Sequence, residues 1–279
     1  MSEGGEVRGD PDTYVLDGKT VSVKDDEYIP DLLHKDATAW LEAHKSGPFF
    51  LYYSLSHVHG DILPTPDSLP APKGESNSQR EQRLLTDNIV YMDKLVGKLM
   101  AELERLKLRE NTLVVFMGDN GLLEGEHGMV DKRTMHEPSI RIPLIVRGPG
   151  LPAGRTVTGQ VLAMDLAPSL LDLCGAPALA NLQGRSWRAL ANGRDPAWRT
   201  AWFYEYNYEK QFPYTPNIRG VRTDDWKFIH YPHGDGSPDK HLPELYDLKE
   251  DPKELRNLAA NPKFAAQRRD LEAQLATLL

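Results

Sequence analysis

The fold of this chain is decided by the stretch Val114-Val115-Phe116-Met117-Gly118-Asp119-Asn120-Gly121. An apolar run of β-forming residues ends abruptly in Asp-Asn-Gly, which in an α/β protein marks the carboxyl end of a buried strand, where ligands bind. The carboxylate of Asp119 and the amide oxygen of Asn120 suit a hard cation such as calcium or magnesium. One short loop then adds His127 and Lys132, a pair suited to binding an anion. These residues predict a metal- and anion-binding site at the end of the strand.

Length and composition are those of a globular protein. The chain has 279 residues, of which 40% are hydrophobic and 27% charged, enough for one large domain or two smaller ones. A formal net charge of -8 gives little support to a nucleic-acid partner, which needs a basic face. The single cysteine, Cys174, excludes an internal disulfide. No apolar run approaches the roughly 20 residues of a membrane span. Residues 1–6 show no signal peptide, so the compartment stays open.

Hydrophobic spacing predicts helices alternating with strands, followed by a region of different character. The predicted elements are a hairpin at 14–23, a helix at 31–44, a buried strand at 49–55, a helix at 78–108, strands at 111–119 and 142–146, a helix at 165–173 capped by Asp165, short aromatic strands from about Trp198, and a helical segment from Asp251 onward. This order predicts an α/β fold with helices flanking a sheet, plus a small C-terminal antiparallel sheet with a terminal helix. The apolar stripe of the 78–108 helix is predicted to contain Leu85, Ile89, Met92, Val96, Leu99, Leu103 and Leu106.

These elements suggest three parts of the chain. Residues 1–30 form a polar N-terminal segment with a hairpin, residues 31–195 form the α/β core, and residues 196–279 form a C-terminal subdomain.

Two histidines follow the predicted strand at 49–55 directly. In a parallel sheet the carboxyl ends of two strands share one edge, so His57 and His59 are expected to face the Asp119 loop. The alternative is a surface His-x-His in a Pro-rich loop; zinc binding by the pair is only weakly signalled, because no third ligand lies nearby. Each loop residue also has an ordinary interpretation, since Asp-Asn-Gly after a strand is usually a turn and a lone loop lysine such as Lys132 is normally solvated.

The predicted C-terminal sheet carries aromatic and charged residues that could bind a sugar. Tyr204, Glu205 and Tyr206 precede Arg219 and Arg222 in this region. The alternative is that these side chains pack on the sheet and solubilise its edge. Both interpretations stay open on the sequence alone.

Taken together, the motifs resemble the sulfatase family of the alkaline phosphatase-like superfamily, in order and over nearly the whole chain. The matching stretches are 48–59, 113–121, Gly125-Glu126-His127-Gly128, Lys132-Arg133-Thr134, 139–150, 219–224, Lys227-Phe228-Ile229, 244–248, Asp251-Pro252 and Glu254. The resemblance implies an alkaline phosphatase-like mixed sheet, here incomplete, and hydrolysis of sulfate esters on a calcium ion. Its nucleophile would be a formylglycine made from a Cys/Ser-x-Pro-x-Arg motif. A metal and cationic side chains would stabilise charge on the sulfuryl oxygens.

The resemblance also assigns roles to individual residues. It implies that Asp119 and Asn120 are metal ligands and that His59 and Lys132 are catalytic residues in contact with the sulfate. His127, together with His57 and Arg222, is a candidate for substrate binding. The substrate expected is a sulfated sugar of the glycosaminoglycan type or an aryl sulfate.

Half of the expected site has no counterpart in the sequence. No Cys/Ser-x-Pro-x-Arg occurs, and Cys174 is followed by Gly-Ala-Pro with no arginine. The family's N-terminal Asp-Asp metal pair is also missing, and two protein ligands are too few for calcium's usual six to eight oxygens. We therefore expect a C-terminal portion of a sulfatase that is inactive alone. The compartment stays open, because full-length relatives are commonly exported and any export signal would lie in the part of the family that has no counterpart here.

Three further expectations follow. Open sheet edges should promote self-association or complementation by another chain. A non-catalytic remnant that binds sulfated glycans is one alternative function. A phosphodiesterase or phosphonate hydrolase of the same superfamily is the other.

Overall fold

The computed structural model of the chain describes residues 13–24, 26–60, 62–195, 197–232 and 241–278. Contacts divide the chain into two units, Met1–Thr112 and Leu113–Leu279. This division differs from the boundaries at residues 30 and 195, which remain a prediction. Within the described ranges, no helix is both long enough and apolar enough to cross a membrane.

The first unit opens with the predicted hairpin. Strands β1 (Thr13–Leu16) and β2 (Lys19–Ser22) pair antiparallel. The turn residues Asp17 and Gly18 both have positive φ, at 50° and 73°. Two consecutive residues of this kind form a turn whose twist matches that of the strands it joins, so the hairpin is confirmed.

Two helices follow, close to their predicted positions. These are α1 (Ile29–His44) and α2 (Asn77–Arg105). A capping box starts α2: the Ser76 hydroxyl accepts the backbone N–H of Gln79, and the Gln79 side chain accepts the backbone N–H of Ser76. A single 3-10 turn at Arg109–Asn111 closes the unit.

The buried face of α2 lies one residue away from the predicted stripe. The fully buried positions are Leu84, Asn88, Tyr91, Leu95 and Leu103, whereas Ile89 is 47% exposed. Leu103 is buried as predicted, but the rest of the stripe is displaced. Two of the buried positions that the prediction left out, Asn88 and Tyr91, carry polar groups, and both have hydrogen-bond partners. Asn88 donates to the carbonyls of Leu63 and Leu84, both at 2.8 Å, and satisfied polar groups can be buried at little cost.

The predicted strand at 49–55 is wrong, because the structure assigns no strand to residues 48–56. Burial alternates along the segment, however: Phe50 and Tyr52 are 73% and 79% exposed, while the residues on either side of each are half-buried. The period-two pattern is typical of an extended chain with one covered face. A β-ladder also needs a neighbouring backbone, and no strand among the described residues pairs with this segment.

The second unit holds the remaining elements. In chain order they are β3 (Val114–Met117), β4 (Leu123–Glu124), β5 (Val130–Asp131), α3 (Glu137–Ile140), β6 (Leu144–Arg147), α4 (Leu166–Leu173), α5 (Arg188–Ala191), β7 (Ala201–Tyr206), β8 (Ile218–Thr223), β9 (Trp226–His230), β10 (Glu244–Asp247) and α6 (Ala265–Leu278). Strand β3 pairs with β6, and β4 pairs with β5.

All strand pairs among the described residues are antiparallel. The argument that brought His57 and Asp119 to one edge assumed parallel strands, so its premise is wrong for the part of the chain described. The β3–β6 pair has no third strand beside it within the described ranges, and Ile145 on β6 is 64% exposed. The expectation of self-association through open edges stays a prediction.

The C-terminal antiparallel sheet and its helix are confirmed. Its strand order is β10-β9-β8-β7, and α6 covers one face through Leu271 and Leu275, which pack with Val221, Phe228 and Leu245. Each large side chain buried in this way contributes about 1.5–3 kcal/mol. The other face packs around Met135, from the segment that follows Lys132.

The start of α6 and the side-chain cap of α4 differ from prediction. Helix α6 begins at Ala265 and not at Asp251, because the Asp251 carboxylate accepts the backbone N–H of Arg256 at 2.8 Å and Glu254 has a φ of 57°, outside the helical range. Asp165 does not cap α4. Its carboxylate instead pairs with Arg199 and accepts backbone N–H groups on the other side.

Candidate active site

The Asp119-Asn120 pair lies just beyond the end of β3, as predicted. The backbone of Gly121, the next residue, lies close to the backbone of Pro138 and Ser139. Its N–H donates to the Ser139 carbonyl at 2.9 Å, and a Cβ at this position would lie 2.0 Å from the Pro138 carbonyl oxygen. Only glycine fits this position. The Asp-Asn-Gly turn is therefore held against the start of α3.

Both side chains of the pair present oxygen atoms to solvent. Asp119 is exposed, and its carboxylate has no hydrogen bond or ion pair with the residues the structure describes. The Asn120 amide nitrogen donates to the Gly121 carbonyl at 2.8 Å, which leaves its oxygen available. Two such oxygens suit a hard cation. They do not make a complete site, since no group of three or more His, Cys, Asp or Glu side chains among the described residues is placed to hold a metal ion.

The next loop is shaped by left-handed backbone. Gly125, His127, Gly128 and Asp131 have φ values of 119°, 56°, 69° and 81°. This conformation is uncommon for residues other than glycine and is often found at functional sites. The strands it joins, β4 and β5, pair Leu123 with Asp131.

Lys132 follows β5 directly, so the hairpin register places it at the same end as the residues that precede β4. Its side chain is half-buried, and its ammonium group has no hydrogen bond or ion pair within the described ranges. Arg133, next in sequence, pairs with Asp131 and lies 3.3 Å above the centre of the Phe212 ring. Lys132 is thus available to an anion while its neighbour is engaged.

The ring of His127 packs against the ring of a second histidine. Its ring lies 4.2 Å from the ring of His136, centre to centre, and its Nε2 lies 3.9 Å from a Glu254 oxygen. Burial, together with the nearby His136, lowers the pKa of His127. The side chain is 12% exposed, and its role in substrate binding stays a prediction.

His136 lies in a hydrogen-bonded cluster on the C-terminal sheet. Its Nε2 lies 2.9 Å from the Glu244 carboxylate, which also accepts the hydroxyls of Tyr231 and Tyr246, both at 2.5 Å. Burial alone would raise the pKa of Glu244, but these three partners outweigh it and hold the pKa at about 2. Glu244 therefore remains ionised at neutral pH.

Beside it lies a buried cluster of four charges, which the sequence did not single out as a site. Lys227 and Glu254 have 0% and 1% exposure. The Lys227 ammonium contacts Glu254 at 2.5 Å and Glu137 at 2.9 Å, and Arg222 Nε contacts Glu137 at 3.2 Å. Burial opposes ionisation of Glu137, but the two cations outweigh it and lower its pKa.

Arg222 is therefore engaged within the protein. Besides Glu137, its guanidinium donates to the carbonyls of Thr223 and Asp224. Its proposed contact with substrate stays a prediction, and these bonds weigh against it. The aromatic side chains of Tyr204 and Tyr206 are also engaged within the protein, because they pack against the core of the sheet.

His57 and His59, which both belong to the first unit, differ sharply from each other. His57 is 4% exposed, stacks on Tyr91 at 6.0 Å and meets Tyr28 edge-on at 6.2 Å. Neither of its ring nitrogens has a partner among the described residues, and burial lowers its pKa. His59 is exposed. The roles of both in the site stay predictions, and for His57 the burial weighs against direct contact with substrate.

Comparison with solved structures identifies the fold. A solved structure of a protein in complex with its substrate D-glucosamine-2-N,6-O-disulfate superposes on 94% of this chain and 71% of its own, with a TM-score of 0.75 and 23% identity. A sulfatase from Bacteroides fragilis matches 93% of this chain and 59% of its own, with a TM-score of 0.74 and 22% identity. The fold is that of the alkaline phosphatase-like proteins, as the sequence predicted.

Sequence comparison identifies the family. The family model Sulfatase matches residues 6–176, and the model N-sulphoglucosamine sulphohydrolase, C-terminal, matches residues 125–279. The chain is 34% identical to an N-acetylglucosamine-6-O-sulfatase of Bacteroides thetaiotaomicron over 200 residues, which is 69% of this chain and 34% of that protein. It is 32% identical to human arylsulfatase K over 197 residues, 67% of this chain and 34% of that protein.

This chain belongs to the sulfatase family. It spans about a third of the length of the curated relatives it matches.

Proposed function

We propose that the chain supplies the C-terminal part of the active site of a sulfuric ester hydrolase. The observation that carries this is the register of the β4–β5 hairpin, which puts Lys132 at the end where the chain arrives from Asp119 and Asn120. The Lys132 ammonium has no partner among the residues the structure describes. A cation site beside a free ammonium group suits a sulfate ester, whose charge rests on its oxygens. In the reaction an S–O bond breaks, oxygen from water ends on sulfur, and a proton ends on the leaving alcohol.

Each residue has a specific role in this proposal. The ammonium of Lys132 contacts the sulfuryl oxygens as a point charge, and His127 donates a hydrogen bond to the same group. Asp119 and Asn120 would hold a calcium ion through their oxygens. When bound, the ion would neutralise charge on the sulfate. The nucleophile and the other metal ligands come from residues outside these 279, because the Cys/Ser-x-Pro-x-Arg motif does not occur among them.

A sulfated sugar is the substrate class we propose. Two relatives support it, the N-acetylglucosamine-6-O-sulfatase and the protein solved with D-glucosamine-2-N,6-O-disulfate. One observation favours a second candidate: the phosphonate monoester hydrolase of Agrobacterium radiobacter is 28% identical over 72% of this chain and 41% of its own, with a TM-score of 0.61. A phosphonate monoester would use the same metal and ammonium contacts.

Binding by the 279-residue chain tests the site directly. Titration of glucosamine 6-sulfate in the presence of calcium should show saturable, salt-sensitive heat, because exposed ionic contacts are screened by salt. Lys132→Ala should abolish this binding. Lys249→Ala, which removes an exposed lysine of the same unit, is the matched control and should leave the binding constant unchanged. Equal loss in both variants would refute the role of Lys132.

Turnover separates the candidate functions. We expect no sulfate release by the chain alone, and release once an N-terminal sulfatase segment with the Cys-x-Pro-x-Arg motif is co-expressed. Faster hydrolysis of a phosphonate monoester than of the sulfate ester would support the second candidate. Tight binding of the sulfated sugar without turnover in the complemented protein would support a glycan-binding role and refute the hydrolase.

A further inference from the structure

The most unusual group in the second unit is a lysine with no exposed surface. Lys227 lies in the middle of β9, and its ammonium donates to the Met135 carbonyl at 2.7 Å, to Glu254 at 2.5 Å and to Glu137 at 2.9 Å. An ammonium group has three N–H donors, so each proton has an acceptor. Burying such a charge is costly unless it is paired in this way.

The carboxylate of Glu254 extends the contact to the backbone. One oxygen accepts from Lys227, and the other accepts the backbone N–H of Glu137 at 2.7 Å. The second oxygen also lies 3.9 Å from Nε2 of His127. One buried ion pair therefore contacts both ends of the segment 127–137.

The candidate site lies between those two ends. Lys132 is in the middle of the segment, and no described residue holds its ammonium. Met135 and Glu137, whose backbone groups are hydrogen-bonded to the ion pair, are three and five positions further along the chain. The location of the Lys132 backbone is thus set by an ion pair whose members come from β9 and from the turn after β10.

The register of the sheet explains how the pair reaches the segment. Arg222, Lys227 and Tyr246 are direct partners across β8, β9 and β10, so their side chains share one face. This is the face that packs around Met135, and α6 covers the opposite face. The cluster of Lys227, Arg222, Glu137 and Glu254 is also neutral overall, which allows it to stay buried.

We propose that Lys227 and Glu254 are positioning residues of the anion site: they act through the backbone at Met135 and Glu137 to hold Lys132 and His127 in place for the sulfate group. This inference rests on the proposed function. It gives the C-terminal sheet a part in sulfate binding although neither residue is placed to contact the ligand.

The test uses the double variant Lys227→Met/Glu254→Met, because replacing both members of a buried pair by apolar residues of similar size preserves folding far better than removing one. The readouts are the amide resonances of residues 127–137 and the dissociation constant for inorganic sulfate, both measured by NMR on the ¹⁵N-labelled chain. We expect the amides to shift and the sulfate dissociation constant to rise about 10–100-fold, the range seen when groups that orient a ligand are removed. Glu254→Gln replaces the double variant if that protein does not fold.

The matched control is Arg199→Met, which breaks the buried pair with Asp165 in the same unit without touching the segment 127–137. It should lower stability and leave the amides and the sulfate constant unchanged. Unchanged amides and an unchanged constant in the double variant would overturn the proposal. If sulfate causes no shift at Lys132 in the wild-type chain, the proposed function is overturned, and the ligand-free amide comparison still decides whether the pair positions the segment.

Discussion

Removing the charge of Lys227 alone should destabilise the second unit more than removing both members of its ion pair. In Lys227→Met, Glu137 keeps its contact with Arg222, but Glu254 loses its lysine partner, so one negative charge is left buried without compensation. Breaking a buried pair in this way costs about 3–5 kcal/mol. For a unit of this size that corresponds to a fall of about 6–20 °C in the melting temperature, at roughly 2–4 °C per kcal/mol.

Adding Glu254→Met to Lys227→Met should restore part of the loss. Charge balance returns, and the remaining penalty comes from the backbone N–H of Glu137 and the carbonyl of Met135, each left without its partner at a cost of about 1–3 kcal/mol. Urea unfolding of the wild type, both single variants and the double variant completes a double-mutant cycle. The reasoning is refuted if the second substitution lowers stability further, or if Lys227→Met alone costs less than about 1 kcal/mol.

Three further predictions follow from particular contacts. The pKa of Glu244 is lowered from 4.5 to about 2. Its ionised carboxylate therefore contributes about 3 kcal/mol to the free energy of unfolding above pH 4.5, and this contribution is lost as the pH falls toward 2. Unfolding measured as a function of pH should show this loss, and Glu244→Gln should remove the pH dependence. Gly121→Ala should cost about 1–3 kcal/mol in thermal unfolding because of the Pro138 carbonyl, whereas Gly97→Ala, in an open helical position, should add about 0.5–1 kcal/mol. Asp119→Asn should weaken calcium binding about tenfold in calorimetry, and unaltered affinity would remove Asp119 from the metal site.

Local patterns identified much of the architecture. The Asp17-Gly18 turn and the alternating strands of the C-terminal sheet are short-range features, and a chain segment adopts them largely through its own backbone preferences. The position of Asp119 and Asn120 after β3 was predictable for the same reason, because an apolar run followed by Asp-Asn-Gly marks where a strand ends.

Errors arose where neighbouring segments decide the outcome. Residues 49–55 have the composition of a strand, but a ladder needs a partner backbone that periodicity cannot reveal. The buried face of α2 was misplaced in part because Asn88 and Tyr91 carry polar groups, and their burial depends on hydrogen bonds to distant residues. Tertiary partners override local preference in such cases.

By itself, the sequence determined the family and the C-terminal sheet, since both are written in contiguous motifs. The same motifs supplied Asp119, Asn120 and Lys132 as candidates, and their roles stay proposals. Only the tertiary structure decided that Lys227 and Glu254 hold the segment carrying Lys132. A lysine in an aromatic strand and a glutamate in a turn are ordinarily solvated. Whether such charges are buried depends on whether opposite charges from distant parts of the chain meet them, and the sequence between these two residues, which are 27 positions apart, gives no local sign that they do.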